Sequence, residues 1–242
     1  MFHFKQFSID DEGATMKVGT DALLLGAMAE PAIAPKSILD IGTGCGILAL
    51  MMAQRFHESV IDAIDIDIQT SAVANTNFQN SPWSGRMKAI HISLQEYAEQ
   101  CRDNSKAKYD LIISNPPYFS NSLRNTNPRK RLARHDDTLP IETLFTLSRQ
   151  MLSPIGTLSV IIPSSGILRA VTASQSAMLS LASVSNICNR PNNPPKLAIM
   201  QFSNSADCEP QVKTYYLRDS DNSYSQWYNQ MAGPYLAHLN QN

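Results

Sequence analysis

Short apolar runs alternate with stretches of helical spacing along most of the chain. Ser37 to Ile41 reads as a buried strand, and Ile47 to Gln54 is apolar with helical character. Ser59 to Ile64 is a second strand, Ala72 to Gln79 a helix, Met87 to Ile92 a third strand and Leu94 to Cys101 a helix. Tyr109 to Ser114, a helix over Ile141 to Leu152, a fifth strand over Gly156 to Ile162 and a helix within Gly166 to Leu181 continue the alternation. Strands and helices in strict alternation predict a parallel sheet covered on both faces. Val184 to Asn189 and Lys196 to Phe202 flank Arg190-Pro191-Asn192-Asn193-Pro194-Pro195, with no room for a helix between them, and so predict an antiparallel pair at one edge. The expected fold is α/β, a seven-stranded, mostly parallel sheet with an antiparallel edge strand. Tyr224 to Leu239 reads as a terminal helix, with Trp227, Tyr228, Met231 and Tyr235 at core-packing spacing.

Two of the strands end in chemistry. After Ser37 to Ile41 comes Gly42-Thr43-Gly44-Cys45-Gly46, a tight turn that opens a helix. Glycines let backbone pass close to a ligand, and the helix start offers unpaired N–H groups, so this is a seat for a nucleoside cofactor. It departs from the dinucleotide fingerprint, which needs glycine where Ile47 stands, and that disfavours hydride transfer. Asp40 is placed to hold backbone amides of the loop. Asp65, at the tip of the second strand, is placed to accept from two ribose hydroxyls; Asp62 falls on the opposite strand face, and Asp67 suits an N-cap.

The strand Tyr109 to Ser114 runs into Asn115-Pro116-Pro117-Tyr118. Proline fixes φ, has no N–H and holds the preceding residue extended, so Asn115 and Tyr118 sit on stiff backbone. The Asn115 amide oxygen and the Pro116 carbonyl can both accept from an exocyclic NH2 while the Tyr118 ring stacks on the flat group that bears it.

In this order and spacing, Asp40-Ile41-Gly42-Thr43-Gly44-Cys45-Gly46, Asp65 and Asn115-Pro116-Pro117-Tyr118 resemble the class I S-adenosylmethionine-dependent methyltransferases that modify planar amines, which have a Rossmann-like sheet with helices on both faces. Phe4-Lys5-Gln6-Phe7 and Met16-Lys17-Val18-Gly19-Thr20-Asp21 narrow the resemblance to the bacterial tRNA(Val) adenine N6-methyltransferase family, over nearly the whole chain. The resemblance implies methyl transfer from S-adenosyl-L-methionine to the N6 amine of the adenine 3′ of the anticodon. Asn115, Pro116 and Tyr118 would be catalytic, and Asp40, Gly42, Thr43, Gly44, Gly46, Asp65, Ile66, Ser93, Leu94 and Asn115 would face the cofactor. Where relatives carry an acidic residue toward the cofactor's adenine amine, this chain has Ser93, whose hydroxyl accepts without charge assistance.

Composition changes the picture little. The chain has 242 residues, 43% of them hydrophobic and 17% charged, as a globular domain has. There is no repeat, linker, apolar run of membrane-spanning length or export signal, so one cytoplasmic domain over residues 1–242 is expected, with 1–36 as an extension that helps to cover substrate and cofactor. Cys45, Cys101, Cys188 and Cys208 are too scattered for a zinc site, and no metal is expected.

A net charge of −1 says little about a polyanionic partner, but its distribution says more. Arg124, Arg129, Lys130, Arg131 and Arg134 follow the Asn-Pro-Pro-Tyr segment with no acidic residue among them, and with Lys17 they are candidate phosphate contacts for tRNA. A monomer is expected. Two other readings remain. A protein glutamine N5-methyltransferase would use the same claw but carries a helical domain ahead of its glycine loop, for which about thirty-six residues are too few. A non-catalytic RNA-binding protein would not need Asn115 and Asp65 intact.

Overall fold

A computed structural model describes residues 1–15, 17–103, 108–117, 139–205 and 209–236. An N-terminal hairpin of β1 (Phe2–His3) and β2 (Ser8–Ile9) leads into α1 (Thr20–Met28). Then follow β3 (Ser37–Ile41), α2 (Ile47–Arg55), β4 (Val60–Asp65), α3 (Ile68–Gln79), β5 (Met87–His91), α4 (Leu94–Asp103) and β6 (Tyr109–Ser114). The second half contributes α5 (Ile141–Met151), β7 (Leu152–Pro163), α6 (Ile167–Ser176), β8 (Ser180–Cys188), β9 (Leu197–Ser203), β10 (Gln211–Tyr216) and α7 (Gln226–Ala232).

The central sheet runs β10-β8-β9-β7-β6-β3-β4-β5. It has eight strands where the sequence predicts seven, because β10 joins parallel to β8 at the edge. The expected antiparallel pair forms, β8 against β9, but not at the very edge: β9, the one strand that runs against the rest of this sheet, lies between β7 and β8, and β10 lies outside β8. Alternate residues of each strand feed two cores, as a period of two requires. Ile38, Ile61, Leu111 and Ile113 pack under α1, α2, α3 and α7, whereas Leu39, Ile64, Ile112 and Leu158 pack under α4, α5 and α6.

The terminal helix stops at Ala232, short of the predicted Leu239, where Gly233 and Pro234 follow; residues beyond 236 lie outside the described part. The N-terminal stretch is more ordered than an extension, since α1 is a helix docked on α2. A Cβ on Gly26 would sit 2.5 Å from the Met51 sulfur, so glycine is what lets the two helices approach. Arg55 fixes the crossing by donating to the Gly26 carbonyl at 2.8 Å. Beneath β4, Asp62 accepts from the Tyr97 and Tyr109 hydroxyls at 2.9 and 2.5 Å and pairs with Lys88 at 3.2 Å, tying α4 and β5 to the sheet.

Candidate active site

Parallel pairing sets the strand tips side by side. Ile41 of β3 is level with Ile64 of β4 and with Ser114 of β6, so Gly42, Asp65 and Asn115 emerge together at the carboxyl edge of the sheet. The Ser114 hydroxyl donates to the Ile41 carbonyl at 2.8 Å and pins the start of the Asn115 segment to the start of the glycine loop. Asn115 is half-buried, Pro116 buried and Pro117 exposed. Tyr118, Arg124, Arg129, Lys130, Arg131 and Arg134 lie outside the described residues.

The glycine loop is held mainly from β4. The Gly42 and Thr43 amides donate to the Ile64 carbonyl at 2.9 and 3.0 Å, and the Gly44 amide donates to Asp65 Oδ2 at 3.0 Å. Gly42, Gly44 and Gly46 all have positive φ. At Gly46, φ is 88° and a Cβ would stand 2.5 Å from the Phe78 ring, so no other residue fits there without movement of α3.

The sequence assigned Asp40 to the loop's amides. The structure puts this fully buried carboxylate below the loop, accepting from the Thr43 hydroxyl at 2.7 Å and from the Ala49 amide in the first turn of α2 at 3.2 Å. It is the Asp65 carboxylate that receives a glycine amide. Asp65 Oδ1 also accepts from the Asp67 amide at 3.0 Å, and Asp67 caps α3 by accepting from the Thr70 amide at 2.7 Å.

Two cavities open on either side of Gly42. One, of about 130 Å³, has aliphatic walls of Ile41, Ile64, Ile66, Ile92, Leu94 and Leu139, with Asp65 and Ser93 also lining it. The other, of about 170 Å³, is lined by Lys17, Asp21, Thr43, Gly44, Cys45 and Asn115 among others. The pair has the form of a nucleoside cofactor with a polar tail: an apolar slot for a flat base, a carboxylate at the sugar level and a second chamber beyond, where Lys17, Asp21 and Asn115 stand among Ala22, Ile47 and Leu48. A Cβ on Gly42 or Gly44 would meet nothing within 4 Å, so the loop faces open space where such a ligand would pass.

Electrostatics favour a cation in that space. Burial raises the carboxyl pKa of Asp21 and of Asp65, and pushes Asp40 up to about 7 against the pull of the Thr43 hydroxyl and the Ala49 amide, with the charge of Asp65 adding to the rise. Asp40 Oδ1 has no hydrogen-bond donor among the described residues. A positively charged ligand would relieve the cost of holding these carboxylates ionised. Cys45 is a packed thiol, with a pKa pushed up to about 11 by burial, and is therefore no nucleophile at neutral pH.

Asp40 also makes stability depend on pH. Its folded pKa of about 7 lies above its ordinary 3.8, so between those values the folded state holds a proton that the unfolded state has released. Stability should therefore fall as pH rises through that window, by up to about 4 kcal/mol at ~1.36 kcal/mol per unit. Urea midpoints at pH 5 and pH 7.5 should differ less in Asp40→Asn than in the unsubstituted protein. An unchanged difference would remove Asp40 as the source.

Ser93 lines the aliphatic cavity, but its hydroxyl is a helix cap. It donates to Glu96 Oε2 at 2.7 Å and accepts from the Glu96 amide at 3.2 Å, while the Ser93 amide also donates to that carboxylate. This capping box at the start of α4 uses the proton and one lone pair of the hydroxyl, and leaves its second lone pair for the adenine amine that the sequence offered it. Lys17 reaches the second chamber and pairs with Asp11 at 3.7 Å.

Sequence reasoning missed two contributors. Asp21, in the first turn of α1, lines the second chamber, a position the run Lys17 to Asp21 hinted at without fixing its role. Asn77, on α3, donates to the carbonyls of Asp10 and Cys45 at 2.8 Å each and accepts from the Asp10 amide at 2.9 Å, so one side chain ties the N-terminal segment to the glycine loop. An asparagine inside a helix carries no signal of such a long-range role.

Among the described residues no cluster of three or more metal-ligating side chains occurs, and no helix is long and apolar enough to cross a membrane.

A mostly parallel sheet whose glycine loop stands between a cavity lined by the Asp65 carboxylate and one lined by Asn115 has the layout of a methyltransferase, and the family model for the methyltransferase small domain matches residues 14–170. A predicted O-methyltransferase from Agrobacterium tumefaciens has the same fold, with a TM-score of 0.68 over 89% of this chain and 96% of that one at 15% identity. The tRNA1(Val) (adenine(37)-N6)-methyltransferase of Flavobacterium psychrophilum is 39% identical over 88% of this chain and 89% of its own. That of Parabacteroides distasonis is 36% identical over 96% and 95%. The chain belongs to the family of tRNA1(Val) (adenine(37)-N6)-methyltransferases.

Proposed function

We propose that this protein methylates the N6 amine of adenine 37 in tRNA1(Val), with S-adenosyl-L-methionine as donor. One observation carries the reading: Asn115, on its prolyl hinge, lines the same chamber as Thr43 and Gly44 of the glycine loop. When bound, S-adenosyl-L-methionine supplies a methyl group activated by the positive charge on its sulfur. Ile66, Ile92 and Leu94 would enclose its base, Asp65 would accept from its ribose hydroxyls, and the loop glycines would let backbone lie against it.

The remaining work is done on the amine. The lone pair of an adenine N6 is delocalised into the ring and is a poor nucleophile until drawn out of conjugation. Accepting both N–H bonds, at Asn115 Oδ1 and the Pro116 carbonyl, orients that lone pair toward the chamber and stabilises the positive charge that grows on nitrogen. Positioning of this kind supplies several kcal/mol of barrier reduction when reacting atoms are held about 3 to 3.5 Å apart. The extra proton leaves nitrogen after transfer, so no strong base is required. Tyr118 would stack on the extruded base, a contact worth roughly 1–3 kcal/mol. Lys17 and the basic residues Arg124, Arg129, Lys130, Arg131 and Arg134 would neutralise phosphates of the tRNA.

The test is incubation with labelled cofactor and bulk tRNA from cells lacking this modification, followed by nucleoside analysis. N6-methyladenosine at position 37 of tRNA1(Val) is the expected product. Label on a protein glutamine would replace the reading with the amide-modifying one, and tight tRNA binding with cofactor present but no product would replace it with a non-catalytic role.

A further inference from the structure

β9 runs antiparallel to both β7 and β8, so β8 and its parallel neighbour β10 point the same way as β6. The turns that follow β8 and β10 therefore lie on the same edge of the sheet as Asn115. From β6 to β10 is four strand steps, or about 19 Å at ~4.8 Å per step. That is the length of roughly five or six stacked nucleotides at ~3.4 Å each.

Two arginines meet at this far end of the edge. Arg190, in the turn after β8, donates to the Asn222 side-chain oxygen, and Arg218, just past β10, donates to the Asn222 carbonyl at 2.7 Å. Asn222 holds φ at 74°, the left-handed region that asparagine enters more readily than most residues. The Arg218 guanidinium also lies 4.1 Å from the centroid of the Tyr224 ring, whose ring stacks on Tyr228 at 4.6 Å.

Neither arginine makes an ion pair among the described residues, although Asp219 and Asp221 share the turn. Asp221 directs Oδ1 to the Ser223 amide and hydroxyl instead, at 2.9 and 2.7 Å. Arg190 Nε is buried with no hydrogen-bond partner among the described residues. Two cations are thus held against one neutral residue, one on its side-chain oxygen and one on its carbonyl, and a bound anion would offset their repulsion. An open groove of about 720 Å³, lined by Lys5, Tyr224, Gln226 and Asn229 among others, lies beside the stack and leaves room for chain passing over it.

We propose that Arg190 and Arg218 form a second docking point for the RNA substrate, gripping backbone phosphates at the end of the sheet edge remote from the reacting adenine. The proposal rests on the reading that the substrate is tRNA. Planar guanidinium forks suit phosphate oxygens, and phosphate contacts set the register of a nucleic acid without reading its sequence. The surface orients the tRNA and leaves the chemical step to the Asn115 chamber.

The experiment is the salt dependence of binding to unmodified tRNA, compared between the unsubstituted protein and its Arg190→Gln, Arg218→Gln double variant. Each lost phosphate contact should flatten the slope of log affinity against log salt by ~0.7 to 0.9, so the double variant should lose about 1.4 to 1.8, with about tenfold weaker binding at low salt. Cofactor affinity, thermal midpoint and turnover at saturating tRNA should stay the same, and the double lysine variant should restore the slope. A wild-type slope in the glutamine variant overturns the proposal, as does weaker binding with a lowered thermal midpoint that lysine does not rescue. In either case methylation by the unsubstituted protein would leave the tRNA reading intact, whereas an unsubstituted protein that binds no tRNA would overturn both.

Discussion

Replacing Asn115 with alanine should lower single-turnover methyl transfer roughly 100- to 1,000-fold, the usual cost of removing one oriented group from a site of developing charge. Cofactor affinity should change only a few-fold. The separation is expected because the cavity proposed for the base and ribose is framed by β3, β4 and the start of α4, whereas Asn115 lines only the chamber on the other side of Gly42. Alanine leaves the Ser114 anchor to the Ile41 carbonyl and the two prolines in place, so the backbone of the hinge keeps its course. What disappears is the side-chain oxygen that would hold one N–H of the amine. Asn115→Gln displaces that oxygen by a methylene and should recover little activity; Asn115→Asp keeps an acceptor and should recover more. Rapid-quench turnover beside calorimetric cofactor titration separates the two effects. Full activity in Asn115→Ala would remove the catalytic assignment while leaving the cofactor site untouched.

The parts of this site that could be read in the sequence are those where chemistry and backbone signal coincide. Ser37 to Ile41 and Tyr109 to Ser114 are short apolar strands, buried by neighbours on both sides, that stop at residues with special φ demands, so strand, turn and ligand loop are written within a dozen positions. The third dimension is what one chain position cannot announce. Asp40 adjoins the loop in the sequence whereas Asp65 lies beyond α2 at the end of β4, and only the parallel register, with Ile41 beside Ile64, shows that Asp65 is level with the glycines, while Asp40 reaches the first turn of α2. β10 escaped because Gln211 to Thr214 are exposed and lack the alternation of a half-buried strand. β9 could be seen as a strand, but its insertion between β7 and β8 is a choice among edges that local pattern does not make. α1 is apolar on several faces because helix α2 and the terminal segment both cover it, which erases the amphipathic stripe by which a surface helix is known. Ser93 lines the cavity as its position suggested, and its bond to Glu96, three residues on, is a second role that the position alone does not announce.

Asp65 carries the second large expectation, because one carboxylate holds the loop and, in the proposed reading, would hold the ligand as well. It accepts from the Gly44 and Asp67 amides, so Asp65→Ala strips partners from two backbone groups at the cavity wall and removes the acceptor proposed for both ribose hydroxyls. Charge-assisted hydrogen bonds are worth roughly 1.5–3 kcal/mol each, so losing both ribose contacts should weaken cofactor binding about 100- to 10,000-fold. The thermal midpoint without cofactor should fall by several degrees. Asp65→Asn retains one oxygen and should fall between the two, because it can serve the loop or the ribose but not all four donors. The raised carboxyl pKa gives a second handle: acidification protonates Asp65 before an ordinary exposed aspartate, so cofactor affinity should drop on the acid side earlier than the unfolding transition requires, and that early drop should vanish in Asp65→Asn. Calorimetric titration across pH reads both effects. Unchanged affinity in Asp65→Ala would place the ribose elsewhere in the cavity, and unchanged affinity with a lowered midpoint would confine Asp65 to holding the glycine loop.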